Sequence, residues 1–398
     1  MREEQQLKTF HKLLAEYPAN MPLTKFLPGY FKKNKQMGST DRRIASRLIY
    51  NYFRLGKAME SSESAERLFA AEFLCSTEPN PFLAHFREDY NERASLSLDA
   101  KIDYLTKKES FRLKDVFPFV DKISEGIDQE QFLRSFFKQP DLYIRIHPGK
   151  ESFVKAKLEN AAINFTIISE TTISLPNGTK LEQVFLDGGK LNKIAGNYLP
   201  YEVQDLSSQE TGNFFQPNRY ESWWDACAAS GGKSLLLFSL EKHLKLLVTD
   251  IRESVLNNLD ERFIGAGFTT YKKKVLDLTL NPDPFMHHYE FDGIILDAPC
   301  SGSGTWGRTP EMISQFEDFK IKSFQNLQRS IVANVVKYLK PGKPLIYITC
   351  SVFKAENEEI VSILEKDYGL ILESAKILKG YEHRADTMFV ARLIKPEA

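Results

Sequence analysis

Residues 291–304 read FDGIILDAPCSGSG, an apolar run that ends at a cysteine and a glycine-rich turn. Residues 344–351 have the same form, PLIYITCS, so that Cys350 also follows a short, β-branched run. Such runs predict buried strands of a parallel sheet, and ligands bind beyond the carboxyl ends of those strands. We therefore expect Cys300 and Cys350 to lie at a functional edge of an α/β sheet. The alternative for either cysteine alone is that of a small core residue.

The length and the residue patterns predict three regions. The chain has 398 residues, more than one hydrophobic core usually serves, so two or three domains are expected. Residues 1–130 have helical periodicity, and residues 131–205 combine strand patterns with a short helix in a small α+β module. Residues 206–398 alternate strands and helices, which predicts a doubly wound, Rossmann-like α/β sheet. Within the module, residues 183–185 are predicted as a strand and residues 187–189 as a turn.

The amino-terminal region is basic although the whole chain is neutral. Residues 1–60 contain 12 Lys and Arg against 5 Asp and Glu. In the amphipathic helix predicted there, Arg42, Arg43, Arg47 and Arg54 lie largely away from the apolar face. This cationic side is a candidate site for RNA phosphates, and a solvated helix face is the alternative.

Localisation and metal binding are constrained by what the sequence lacks. Residues 1–6 have no signal-peptide core, and no stretch of about 18 apolar residues occurs, so a cytosolic protein is expected. Four cysteines are too few for a disulfide framework and predict free thiols. His287 and His288 lack further residues at metal-ligand spacing, so no metal is expected. A monomer is expected.

A glycine-rich turn precedes the two cysteine motifs. Residues 225–233, DACAASGGK, follow one predicted strand and lead into a helix, where backbone N–H groups can bind an anion. Asp250 ends the next strand, where a carboxylate can bind the hydroxyls of a ribose. Asp277, one strand further, could accept a hydrogen bond from an adenine amino group. Together they predict an adenosine ligand with an anionic tail, and the alternative for each aspartate is a cap or a turn.

A phosphate-binding P-loop is the competing interpretation of the same turn, because Gly232-Lys233-Ser234 matches the end of that motif. The motif also requires a glycine five residues before Gly232, where Cys227 stands. Asp225 would in addition place a negative charge beside the phosphates. Both points disfavour a nucleotide hydrolase.

Three motifs in this order resemble the Sun-type RNA (cytosine-5) methyltransferases: DACAASGGK at 225–233, DAPCSGSG at 297–304, and YITCS at 347–351 followed by ENE at 356–358. The resemblance extends over about half the chain and is strongest to the branch that modifies small-subunit ribosomal RNA. It implies a class I methyltransferase sheet, S-adenosyl-L-methionine as cofactor and RNA as partner.

The resemblance also implies roles for individual residues. Cys350 would be the nucleophile that adds to carbon 6 of cytosine, and Cys300 would assist release of the product. A thiolate suits such an addition because it attacks and leaves well. Asp297 would lie between the cofactor and the cytosine ring, and Lys233 would contact the base or order the first loop. The implied cofactor contacts are Cys227, Ala228, Ala229, Ser230, Gly231, Gly232, Lys233, Asp250, Asp277 and Asp297.

The chain departs from the family pattern at two places. Ser230 stands where the family usually has proline, and Thr387-Met388 stand where it usually has Gly-Phe. Three other functions stay open: a transfer RNA methyltransferase, a DNA cytosine-5 methyltransferase, and a non-catalytic RNA-binding assembly factor. In the DNA enzymes the cysteine of a Pro-Cys motif attacks, which would make Cys300 the nucleophile. An assembly factor would need neither thiol.

Overall fold

The computed structural model of the protein describes residues 2–19, 21–185 and 199–397. Its helices are α1 (Arg2–Glu16), α2 (Leu23–Lys33), α3 (Ser39–Arg54), α4 (Ser64–Cys75), α5 (Pro81–Phe86), α6 (Glu88–Asn91), α7 (Leu98–Lys108), α8 (Gln129–Ser135), α9 (Glu151–Asn160), α10 (Glu182–Phe185), α11 (Leu206–Glu210), α12 (Gly232–Leu240), α13 (Glu253–Gly265), α14 (Asp283–Met286), α15 (Glu311–Gln315), α16 (Phe319–Val335) and α17 (Glu358–Tyr368). Its strands are β1 (Leu142–Ile146), β2 (Thr166–Ile167), β3 (Thr172–Leu175), β4 (Tyr201–Val203), β5 (Ser222–Asp225), β6 (Lys245–Asp250), β7 (Lys272–Val275), β8 (Gly293–Asp297), β9 (Pro344–Thr349), β10 (Ile371–Leu378) and β11 (Met388–Ile394). In the part of the chain that is described, no helix is both long and apolar enough to cross a membrane.

One compact unit is helical and consists of Met1–Ile123, Ile127–Gln139 and Thr305–Asp318. The last segment is far from the others in sequence and belongs to the unit through buried contacts. The Glu311 carboxylate, for example, accepts a hydrogen bond of 3.0 Å from the Leu23 N–H at the start of α2. Burial raises the pKa of Glu311, so this contact sits in an apolar setting.

Arginines of the predicted cationic helix side have structural partners within this unit. The prediction is wrong for Arg54, which is buried and donates to the Phe136 carbonyl at 2.7 Å. The Arg42 guanidinium donates to the Met37 carbonyl at 2.9 Å. Arg47 lies 3.0 Å from the carboxylate of Glu72, whose side chain is fully buried. Because burial raises the pKa of Glu72 and the arginine opposes that rise, Arg47 serves as the counter-ion of a core carboxylate.

The second unit contains a four-stranded antiparallel sheet with the order β2-β3-β1-β4. Residues 183–185, predicted as a strand, instead belong to the helical turn α10, in which the Val184 and Phe185 N–H groups both donate to the Leu181 carbonyl. A short apolar run carries too little periodicity to separate the two possibilities. The turn predicted at 187–189 lies outside the described residues.

The same unit contains a seven-stranded sheet with the order β10-β11-β9-β8-β5-β6-β7. Strands β5 to β9 are parallel, whereas β11 pairs antiparallel with both β9 and β10. Helices α12, α13, α16 and α17 connect these strands, as in a doubly wound sheet, so the predicted α/β fold class is confirmed. The carboxyl ends of β5, β6, β8 and β9 therefore lie at one edge of the sheet.

Two buried tryptophans fix the centre of this sheet. Trp223 and Trp224 are adjacent in β5, so their side chains enter the apolar layers on opposite faces. Trp223 packs over Gly293 of the neighbouring strand β8 so closely that a Cβ there would lie 2.5 Å from the indole ring. The glycine at 293 is thus required by packing.

Gly293→Ala should therefore destabilise the protein, by about 1–3 kcal/mol, because a methyl group would be forced against a buried ring. Gly265→Ala is the matched control, since nothing lies within 4 Å of its added Cβ at the end of α13. That change should be neutral or stabilise by up to about 1 kcal/mol. Urea denaturation of both variants measures the difference, and equal stabilities would contradict the packing argument.

Candidate active site

The two cysteines of the sequence motifs lie side by side. Cys300 follows β8 and Cys350 follows β9, and the parallel register that pairs Asp297 with Ile348 brings both loops to the same edge. The two Sγ atoms are 3.3 Å apart. The contact with Cys350 is the largest of the effects that raise the pKa of Cys300 well above its ordinary value, and burial adds to it. The pair can thus hold one negative charge much more readily than two.

A buried glutamate holds both cysteine loops. The Glu356 carboxylate accepts hydrogen bonds from the Ser301 N–H at 2.8 Å and from the Ser351 hydroxyl at 2.7 Å. Gln328 on α16 donates a third hydrogen bond of 3.1 Å. Burial raises the pKa of Glu356, although these donors partly oppose the rise. One side chain therefore ties together the residues that directly follow the two cysteines.

The Asn357 side chain also holds the loop at the end of β9 through hydrogen bonds. Its amide donates to the Ser351 carbonyl and to the Ser124 hydroxyl, both at 2.9 Å, and its oxygen accepts from Thr349 at 2.5 Å. The backbone is thus fixed on both sides of Cys350. The N–H of Gly304 also donates to the Cys350 carbonyl at 2.9 Å, which joins the two loops directly.

An ion pair lies beside the thiols. The Lys233 ammonium is 2.8 Å from the Asp297 carboxylate, and the lysine side chain is only 11 % exposed. Burial alone would lower the pKa of Lys233, but Asp297 outweighs it, and Cys350 and Asp225 further raise that pKa. Lys233 is therefore a charged group within electrostatic range of Cys350. The structure brings together all four predicted catalytic residues, Cys350, Cys300, Asp297 and Lys233.

The glycine-rich turn runs from Cys227 to Gly232 beside these residues. Cys227 packs against the core of the sheet, and burial raises the pKa of its thiol well above the ordinary value. Ala228 donates to the Thr249 carbonyl at 2.8 Å, which holds the turn on β6. Gly231 has φ +80°, and a Cβ there would lie 2.5 Å from the Phe263 ring, so only glycine fits.

Asp250 supports the turn from the end of β6. Its carboxylate accepts the Ala229 N–H at 3.0 Å and also pairs with the Arg252 guanidinium at 3.0 and 3.1 Å. Burial would raise the pKa of Asp250, but the hydrogen bonds from Arg252 and Ala229 hold it below its usual range. Arg252 is 59 % exposed, so solvent or a ligand can replace it.

Asp277 has a different local role. It follows β7, two residues beyond Val275, which pairs with Asp250. Its carboxylate accepts hydrogen bonds from the N–H and the hydroxyl of Thr279, at 2.9 and 2.6 Å. Asp277 thus forms the turn that the sequence left as its alternative, and its contact with an adenine stays a prediction.

Asp225 is a buried carboxylate with one unpaired oxygen. Ser234 donates to Oδ2 at 2.6 Å, whereas Oδ1 has no hydrogen-bond partner among the described residues. Burial raises the pKa of Asp225 to about 7, and Asp297 and Asp250 add to that effect. An acceptor left unpaired at the glycine-rich turn is suited to a cationic group. Within the described ranges, no group of three or more His, Cys, Asp or Glu side chains could hold a metal ion.

Comparison with known proteins identifies the domain that carries this site. Residues 213–394 match the family described as 16S rRNA methyltransferase RsmB/F. This part of the chain is therefore similar to the RsmB/F methyltransferases. The match confirms the family that the three motifs indicated, and it covers both cysteines, the Lys233–Asp297 pair and the glycine-rich turn.

Two curated relatives of this chain are both named ribosomal RNA small subunit methyltransferase B. Ribosomal RNA small subunit methyltransferase B of Shewanella oneidensis is 28% identical over 67% of this chain and 63% of the relative. A probable ribosomal RNA small subunit methyltransferase B of Synechocystis is 29% identical over 66% of this chain and 59% of the relative. The chain thus spans less than two thirds of the length of these relatives.

Solved structures share the fold. PH0851 has a TM-score of 0.67 at 21% identity and covers 92% of this chain and 93% of its own. NSun6 from Pyrococcus horikoshii, solved with SFG, has a TM-score of 0.58 at 17% identity and covers 68% and 95%. Both structures are similar to this chain in fold.

Sequence reasoning missed the role of Glu356 and Asn357, although both stand in a quoted motif. The available signal was the adjacent polar pair Glu356-Asn357 a short distance beyond Cys350, since polar side chains near a buried strand must find hydrogen-bond partners. It also missed Arg262, which donates to the Ser230 carbonyl and hydroxyl from α13. Nothing in the local pattern around Arg262 distinguishes it from a solvated helix residue.

The raised pKa of Asp225 predicts a pH effect on stability. The folded protein retains a proton between about pH 4 and pH 7 that the unfolded chain releases, so the free energy of unfolding falls as the pH rises through that window. Asp225→Asn should remove this contribution, which amounts to at most about 1.4 kcal/mol per pH unit. The difference in urea stability between variant and parent should therefore grow in favour of the variant from pH 4 to pH 7. Asp103→Asn, on the exposed face of α7, is the control, and an equal pH slope in all three proteins would refute the assignment.

Proposed function

We propose that this protein transfers a methyl group from S-adenosyl-L-methionine to carbon 5 of a cytosine in RNA, with small-subunit ribosomal RNA as its substrate. The observation that carries the proposal is the pair of thiols 3.3 Å apart beside the Lys233–Asp297 ion pair. Binding alone would require neither thiol. The family match and the names of the relatives support ribosomal RNA as the substrate.

The residues of the glycine-rich turn fit the proposed cofactor. The turn leads through Gly231, in the left-handed conformation, into the N-terminus of α12, which favours the carboxylate of the cofactor. The unpaired Oδ1 of Asp225 suits the ammonium group of the same amino-acid tail. Asp250 would bind the ribose in place of Arg252, and Asp277 would lie near the adenine. When bound, S-adenosyl-L-methionine supplies an electrophilic methyl group.

Cys350 is the proposed nucleophile. Carbon 5 of cytosine is a poor nucleophile, and addition of the Cys350 thiolate to carbon 6 makes carbon 5 electron-rich enough to accept a methyl group. Lys233 places a positive charge near this thiolate, and Asp297 holds the ammonium in position. Glu356 and Asn357 fix the backbone from which Cys350 reaches the base.

Cys300 is the proposed base for release. Formation of the adduct converts the Cys350 sulfur into a neutral thioether, which removes the largest of the effects that raise the pKa of Cys300. Cys300 can then lose its proton to solvent. The carbon-5 proton passes to the Cys300 thiolate, its bonding electrons reform the C5–C6 double bond, and the C6–S bond breaks to release Cys350 as a thiolate.

The helical unit is the proposed contact with RNA outside the catalytic site. Its basic amino-terminal residues can bind phosphates, and single-stranded RNA presents bases that can leave their stack. Arg43 is exposed on α3, whereas Arg47 is committed to Glu72. The phosphate contact should therefore depend on Arg43 more than on Arg47.

The direct test is incubation of the protein with S-adenosyl-L-methionine and either small-subunit ribosomal RNA or transfer RNA, followed by mass spectrometry of the nucleosides. 5-Methylcytidine in ribosomal RNA supports the proposal. The same product in transfer RNA alone would correct the substrate, and its absence from both would favour an assembly factor.

The two thiols should give variants that differ in kind. Cys350→Ala should abolish methyl transfer and any covalent complex, because no sulfur remains to add to carbon 6. Cys300→Ala should still attack and methylate but remain attached to the RNA, because the base for elimination is missing. A denaturing gel should therefore show a retarded band for Cys300→Ala alone.

Cys75→Ala is the matched control, because Cys75 ends α4 in the helical unit and should leave activity unchanged. A retarded band for Cys350→Ala and none for Cys300→Ala would make Cys300 the nucleophile and overturn the assignment.

Asp250→Ala should weaken cofactor binding, since hydrogen bonds to a charged group contribute about 1.5–3 kcal/mol. Calorimetric titration with S-adenosylhomocysteine measures the dissociation constant, and circular dichroism checks that the variant is folded. An unchanged constant in a folded variant would reject Asp250 as the ribose ligand.

A further inference from the structure

The turn that would hold the cofactor contains two residues in the left-handed conformation. Ala229 has φ +47° and Gly231 has φ +80°, and Ser230 lies between them. A left-handed φ is costly for alanine, so the surrounding structure must stabilise this turn. Asp250 holds the Ala229 N–H from one side. The other side is held by a residue outside the sequence motifs.

That residue is Arg262 on α13. One guanidinium nitrogen, Nη1, donates to the Ser230 carbonyl and to the Ser230 hydroxyl, each at 3.0 Å. The other, Nη2, donates to the Glu202 carboxylate at 2.8 Å. Arg262 thus spans from the centre of the turn to β4 of the four-stranded sheet.

Helix α13 is also the surface on which the turn rests. A Cβ at Gly231 would lie 2.5 Å from Phe263 and 2.8 Å from Leu259. The turn therefore packs against the residues on either side of Arg262 in the helix. A shift of α13 or of the Arg262 side chain would move the Ser230 backbone.

Glu202 keeps the arginine in place. Its side chain is only 8 % exposed, and His147 lies 3.4 Å from its other oxygen. Burial would raise the pKa of Glu202, but His147 and Arg262 outweigh that effect and lower it, so the carboxylate is charged. Arginine suits this position because its planar fork can bind a carboxylate and a carbonyl at the same time, which the single ammonium of lysine cannot do equally well.

We infer that Arg262 is a positioning residue for the cofactor turn and that Glu202 makes the geometry of this turn depend on the four-stranded sheet. The inference rests on the proposed function, because it assigns a purpose to the turn. A proline at position 230 would fix φ by its ring, whereas serine has more conformational freedom and needs an external support. The two hydrogen bonds from Arg262 supply that support.

Calorimetric titration with S-adenosylhomocysteine tests the inference. Arg262→Met should raise the dissociation constant about tenfold. Arg262→Lys should lie between this variant and the parent, because lysine keeps the charge but loses the fork. Arg329→Met, an equivalent change on the exposed side of α16, is the control and should bind as the parent does.

A kinetic readout separates positioning from a general loss of structure. With saturating RNA, Arg262→Met should raise KM for S-adenosyl-L-methionine while kcat stays within about twofold, because a saturating cofactor can order the turn. A fall in kcat with an unchanged KM would overturn the inference, since it would indicate a smaller fraction of folded enzyme.

Glu202→Gln is the second variant should Arg262→Met fail to fold, because it keeps the size of the side chain and removes its charge. It should weaken S-adenosylhomocysteine binding in the same direction. Parental binding by a folded Arg262→Met or Glu202→Gln variant would overturn the inference. Failure of the parent itself to bind would instead reject the proposed function.

Discussion

The parallel pairing of β8 with β9 is the constraint on which the site depends. Because Asp297 pairs with Ile348, the loops that follow the two strands begin at the same level along the strand direction. A shift of one residue in this register would exchange the sides of the sheet that the side chains face and would separate the thiols. At the start of β8, the close packing of Trp223 on Gly293 fixes the position of this strand beside β5.

Buried charge is concentrated at this edge and needs compensation. Glu356 accepts three hydrogen bonds, and Lys233 pairs with Asp297, so all three ionisable groups have partners. Asp225 retains one unpaired oxygen. Unpaired buried acceptors are uncommon in folded proteins, and this one lies at the glycine-rich turn, where we propose that it accepts a hydrogen bond from the ammonium group of the cofactor.

The sequence was most informative where a pattern is local. The strands that end at Asp225, Asp250, Asp297 and Thr349 could be predicted, because short apolar runs that end in turns are typical of a parallel sheet. Contacts between distant segments could not be predicted. The buried Glu311 accepts a hydrogen bond from Leu23, which is 288 residues away in sequence. Arg262 donates to Ser230, which is 32 residues away in sequence. The hydrophobic periodicity of the sequence does not indicate which distant residues form such pairs.

In the proposed mechanism, the distance between the thiols imposes an order on their use. Two thiolates 3.3 Å apart would repel strongly in a partly buried site, so the pair does not hold two full charges at once. Only after one sulfur has become neutral, through a bond to carbon, can the other ionise without that penalty. A nucleophile that becomes a thioether is therefore the condition under which its neighbour becomes a base. In the proposed mechanism, the same proximity that raises the pKa of Cys300 before the addition would let it fall afterwards, and two chemically identical side chains would thereby take different roles.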